Sequence, residues 1–65
     1  MRRIVELPER IKVEELANRL GVKPFHVISD LIKLRVFVAS GEKEIEFEVA
    51  ARICGMHGFG CAAES

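Results

Sequence analysis

A chain of 65 residues has room for one domain with a small core, because a chain of about this size buries only about 60 % of the surface it exposes when unfolded. A composition of 49 % hydrophobic and 31 % charged residues excludes a disordered chain, which lacks the apolar surface to offset conformational entropy. Ten basic and ten acidic side chains cancel to a formal net charge of zero, which argues against the strongly basic class of nucleic-acid binder.

The charge is unevenly spread. Residues 1–35 hold eight basic against five acidic groups and residues 36–65 two against five, so the halves carry +3 and −3. Such asymmetry orients a domain against an anionic partner, although mixed surface charge also serves solubility alone. No run of about 18 apolar residues exists, and the acids that follow Met1-Arg2-Arg3 are unlike a leader segment, so the expectation is a cytoplasmic protein with no membrane contact. Two cysteines are too few for a disulfide framework, and both are read as free thiols.

Arg3 to Leu7 reads as a short strand that Pro8 ends, since proline has no N–H for a ladder. Val13, Leu16, Ala17 and Leu20 then fall at helical spacing, with Glu14 and Glu15 in the first turn and Gly21 as the stop. Pro24 opens a second helix at a position where its missing N–H costs nothing, and Val27, Ile28, Leu31 and Leu34 form its apolar stripe. These two helices make a helix-turn-helix-like pair. Val36 to Ala39 is β-prone and closes on Ser40-Gly41, with Glu44 to Phe47 as the expected hairpin partner. A third helix is expected from about Glu46 to Cys54, ahead of Gly55. In the tail, Met56, Phe59 and Cys61 can form a loose edge strand. The expected core is Leu16, Leu20, Val27, Ile28, Leu31, Leu34, Phe47 and Ile53.

Three segments carry a resemblance when taken in order: Val5-Glu6-Leu7-Pro8-Glu9, Ile11-Lys12-Val13-Glu14-Glu15-Leu16-Ala17, and Leu20-Gly21-Val22-Lys23-Pro24. With Val27-Ile28, Leu31 to Leu34, Val36 to Ala39, Ile45-x-Phe47-Glu48, Ala50, Ile53 and Gly55, the chain resembles the small N-terminal domain of bacterial translation initiation factor two over about residues 4 to 56. The resemblance implies an α+β fold, three helices packed on a minimal sheet of two to three strands, with residues 1–56 as the domain and 57–65 as a C-terminal tail. It also implies an accessory role in binding the small ribosomal subunit, without catalytic residues. Two positions depart from the family pattern. Lys12 stands where Thr or Ser would cap the first helix, a cap worth about 1 kcal/mol. Arg35 stands where Gly is usual, so the turn there must avoid positive φ or accept strain. The linker, GTPase and initiator-tRNA-binding domains of the full factor are not in the 65 residues, so those activities are not carried over, and the chain is expected to be a stand-alone homologue or an excised domain.

No G-x-x-x-x-G-K-[ST] loop occurs, so nucleotide hydrolysis is not expected. Cys54-x-x-His57-x-x-x-Cys61 offers three soft ligands where a structural zinc takes four, and the expectation is no metal and no other cofactor. The same residues offer a Cys-His pair but no third group to orient it, so no enzymatic activity and no small-molecule substrate are expected. Arg19, Lys23, His26, Lys33 and Arg35 surround the second helix as candidate phosphate contacts of an RNA- or ribosome-binding module, against the alternative of a solvated helix face. Two other classes stay open. One is a DNA-binding helix-turn-helix regulator, weakened because Pro24, Phe25 and Val27 sit where base-edge donors belong. The other is a protein-interaction module using Phe25 or Phe37 where exposed. Nothing in the sequence sets the oligomeric state.

Overall fold

The computed structural model describes residues 3–64; residues 1, 2 and 65, which fall within the segments 1–56 and 57–65, lie outside the described residues. In chain order the elements are β1 (Ile4–Leu7), β2 (Arg10–Lys12), α1 (Val13–Leu20), α2 (Pro24–Lys33), β3 (Glu44–Glu46), α3 (Phe47–Met56) and β4 (Gly60–Ala63). The fold is α+β, with the three helices expected. The strands form two separate two-stranded sheets.

In the first sheet β4 runs parallel to β1, from Ile4 opposite Gly60 to Leu7 opposite Ala63. Backbone bonds at either end extend the pairing: the Gly60 N–H donates to the Arg3 carbonyl at 2.7 Å and the Glu64 N–H to that of Leu7 at 2.8 Å. In the second sheet β2 and β3 are antiparallel, with Arg10 opposite Glu46, Ile11 opposite Ile45 and Lys12 opposite Glu44. The two isoleucines are buried, while each flanking pair sets opposite charges across the strands, a favourable cross-strand arrangement.

The expected hairpin between Val36–Ala39 and Glu44–Phe47 does not form. Residues 36–39 are irregular, and β3 pairs with β2 in their place. Val36 and Val38 nevertheless pack on the core, so their β-branched side chains serve burial without a strand. Residues at the end of the chain are also more integrated than a loose edge implies: Phe59 packs against the core and β4 has a fixed register.

Of the expected core, Leu16, Leu20, Val27, Leu31 and Ile53 are buried, and Ile28, Leu34 and Phe47 are partly buried against them. Leu7, Ile11, Val13, Ala17, Ile45, Ala50 and Cys54 complete it. No aromatic ring is among the buried residues, and the largest fully buried side chains are Leu and Ile.

Helix ends explain how so short a chain satisfies its backbone. Lys12, at the N-cap of α1, makes no side-chain cap bond. Backbone carbonyls of the loop before β3 replace it: the Val13 N–H donates to Lys43 O and the Glu14 N–H to Gly41 O, each at 2.9 Å. At α3 the Phe47 N–H donates to Glu9 O at 2.9 Å. The first-turn donors, which have no partner inside a helix, thus tie α1 and α3 to neighbouring strands and loops. All three helices finish in the same left-handed motif, with paired six-to-one and five-to-two backbone bonds. The bonds run from Val22 to Ala17 and Gly21 to Asn18, from Val36 to Leu31 and Arg35 to Ile32, and from Phe59 to Cys54 and Gly58 to Gly55. The left-handed residue is Gly21 at φ 74°, Arg35 at φ 63° and Gly58 at φ 81°. Arg35 therefore takes the strained alternative of the two the sequence allows.

Candidate functional site

Helix α2 buries Val27 and Leu31, packs Ile28 partly against the core, and exposes Phe25, His26, Ser29, Ile32 and Lys33. Helical spacing of three and four residues puts His26, Ser29 and Lys33 on one exposed flank. Lys23, in extended conformation, is the N-cap, and Arg35 holds the left-handed position two residues past the helix end. The structure thus strings Lys23, His26, Lys33 and Arg35 along one element, all exposed. Lys23, Lys33 and Arg35 form no ion pair with any described residue. Asp30 is the only acidic residue of α2. It is engaged, with Oδ2 lying 2.6 Å from His57 Nε2. An ionised carboxylate only accepts, so the His57 ring is the donor. This half-buried contact pins the turn after α3 to the middle of α2 and leaves the outer face of α2 without a free carboxylate.

Arg19 is placed differently from the other four candidates. Its guanidinium donates to the Glu6 carbonyl of β1 and pairs with Glu15 at 3.2 Å and with Glu64 at 3.3 Å. Those bonds join α1 to β1 and to the residue after β4. Three acceptors converge on one cation, so Arg19 is spent on the fold.

Next to the cations lies an apolar ridge that helical periodicity did not single out as a site. Phe25 is 61 % exposed and Ile32 is 50 % exposed. They are seven residues apart and therefore lie on one side of the helix. Phe37, just past the helix, is 76 % exposed. The Phe25 and His26 rings are neighbours, with centroids 4.3 Å apart and planes tilted by 47°. Phe25 and Ile32 neighbour Ile28 at the edge of the Val27, Ile28, Leu31 and Leu34 stripe, so periodicity alone does not tell them from core positions.

The Cys54, His57 and Cys61 group does not converge. Among the described residues no three His, Cys, Asp or Glu side chains are gathered to hold a metal ion. Cys54 is buried and Cys61 exposed, and His57 is held by Asp30. Burial, with a smaller contribution from Cys61, pushes the Cys54 thiol above its ordinary value. The described surface has no pocket to enclose a small molecule, and none of the helices is long and apolar enough to cross a membrane. What the molecule presents is an open, cationic and partly aromatic helix face.

Comparison with known proteins gives this face a context. A family model described as "Translation initiation factor IF-2, N-terminal region" matches residues 8–60. A translation initiation factor IF-2 of Caldicellulosiruptor saccharolyticus is 45 % identical over 56 residues, which is 86 % of this chain and 6 % of that protein. Proteins of the same name from Thermoanaerobacter sp. and Caldanaerobacter subterraneus are 37 % and 35 % identical over 57 residues, 88 % of this chain and 8 % of each relative. The chain therefore spans less than a tenth of the length of these relatives.

Proposed function

The chain belongs to the family of translation initiation factor IF-2 N-terminal regions, and from that premise we propose that it is a non-catalytic accessory module of translation initiation that contacts the small ribosomal subunit or structured RNA. The observation that carries this reading is the row of exposed cations on α2, Lys23, Lys33 and Arg35, unpaired with any described residue beside an aspartate already held by His57. A domain of zero net charge attracts RNA only through such a local cluster. His26 adds a donor to the same flank, while Arg19 is withdrawn into structural bonds.

The cluster also sets the strength of the contact. Three phosphate contacts give a salt dependence that lowers affinity about 20- to 40-fold between about 50 and 200 mM salt. The expected complex is weak by itself and serves to orient a larger assembly. Phosphate contacts position without reading sequence, so binding should vary little with base composition. The measurement is a salt titration of binding to small-subunit ribosomal RNA, run beside selection from a random duplex pool. Salt-sensitive binding to RNA supports the reading, and one enriched duplex motif that survives moderate salt favours the helix-turn-helix regulator. A second reading, a protein-interaction module, is favoured by the exposure of Phe25 and Phe37 and predicts no binding to either polymer.

A further inference from the structure

The proposed RNA contact does not account for the apolar ridge. Phosphate binding uses cations and polar donors, yet two of the four phenylalanines, Phe25 and Phe37, are mostly exposed. Phe25 stands in the first turn of α2, two residues past the N-cap Lys23 and in ring contact with His26. Lys33 lies ten residues beyond Lys23, about 15 Å along the helix axis, so the two lysines mark opposite ends of α2.

We propose that this face binds single-stranded RNA, with an unpaired base stacked on the Phe25 ring and backbone phosphates held by Lys23 near that ring and by Lys33 and Arg35 further along the same strand. The inference rests on the RNA-binding reading above and deepens it. The free charges on α2 are all positive, which selects an anionic partner. An acidic amphipathic helix would need a hydrophobic groove to receive it, and the described surface is open, with no pocket. A base needs only an accessible ring face and a nearby cation, and every base has a π-face. Duplex RNA fits less well, because its bases are stacked inside the helix and its major groove is too deep and narrow to read. Stacking of this kind tolerates any sequence, as expected of a surface with few base-edge donors.

The chain contains no tryptophan, so a Phe25→Trp variant supplies a single fluorescent reporter at the proposed stacking position. The probe is a labelled, unstructured RNA oligonucleotide of mixed sequence, compared with the same strand in a perfect duplex. The parent chain should bind the single strand more tightly than the duplex. Phe25→Leu, which keeps an apolar side chain at an exposed position and leaves the core untouched, should weaken single-strand binding by about tenfold, as for loss of one stacked base. Phe25→Trp should retain binding, and its emission should be quenched saturably by the oligonucleotide. Lys33→Gln should lower the salt slope by about one. If Phe25→Leu binds like the parent, or the duplex binds as well as the single strand, the stacking inference is overturned even where salt-sensitive RNA binding persists. Displacement of the oligonucleotide by poly-glutamate with no change in Phe25→Trp emission overturns it in favour of an acidic protein partner. Absence of binding to the oligonucleotide and to ribosomal RNA alike removes the underlying reading as well.

Discussion

Arg35→Gly should make the protein more stable, although it deletes a large charged side chain. Arg35 is held at φ 63°, where a residue with a Cβ is disfavoured by about 1–2 kcal/mol. The conformation is imposed by the motif that ends α2, in which the Val36 N–H donates to Leu31 O at 2.8 Å and the Arg35 N–H to Ile32 O at 2.9 Å. Glycine removes that steric cost but has more freedom to lose on folding, about 0.5–1 kcal/mol. The net gain is about 0.5–1 kcal/mol. In a domain of this size each kcal/mol moves the melting temperature by about 4–8 °C, so a rise of about 2–8 °C is expected in a circular-dichroism melt. Arg35→Ala separates backbone from side chain: it keeps the strain, loses the charge and should melt within about 0.5 kcal/mol of the parent. If Arg35→Gly melts no higher than Arg35→Ala, the strain argument is wrong.

The other predictions concern the core, the latches and the thiols. Leu31→Ala, at a fully buried position of α2, should cost about 2–5 kcal/mol, a large part of the stability of so small a domain; a melt equal to that of the parent would contradict the packing. Arg19→Ala should lower stability by about 1 kcal/mol, because its exposed ion pairs contribute little and its bond to the Glu6 carbonyl contributes most, while RNA binding stays unchanged; weakened binding in a folded variant would return Arg19 to the contact face. A thiol reagent should modify Cys61 at once and Cys54 only on unfolding, and immediate modification of both would refute the burial of Cys54. Since the folded Cys54 thiol is pushed above its ordinary value of 9.0, the folded state holds that proton more tightly than the unfolded chain. Stability should then fall as pH rises past about 9, and Cys54→Ala should flatten that slope. Protein purified without chelator should contain no stoichiometric zinc by elemental analysis; one zinc per chain would revise the placement of Cys54, His57 and Cys61.

The three helices were legible because each repeats apolar residues at helical spacing and is bounded by a specific stop or start, Gly21 and Pro24 above all. The strands were less so, for physical reasons particular to each. β2 is three residues long with one buried side chain, Ile11, and its partner lies more than thirty positions away, so no local pattern marks it. The clue that existed was the match of Arg10 and Lys12 to Glu46 and Glu44 across the pair. Residues 36–39 misled because their burial does alternate, with Val36 and Val38 partly buried and Phe37 exposed, which is the signature of a strand; alternation reports packing, and the expected partner Glu44–Glu46 pairs with β2 instead. The candidate face was legible as a set of cations around α2. That Arg19 is neutralised by Glu15, Glu64 and a β1 carbonyl depends on tertiary contacts across 13 and 45 residues of sequence, which periodicity along one helix does not reveal.

The central claim, that the cations of α2 attach this domain to the small ribosomal subunit, is tested most directly by co-sedimentation with purified subunits at two salt concentrations. The parent chain should pellet with subunits at about 50 mM salt and be largely released at about 200 mM, and a folded Lys23→Glu/Lys33→Glu variant should stay in the supernatant at both. A parent chain that remains in the supernatant at the lower salt, or a charge-reversed variant that pellets as well as the parent, would contradict it.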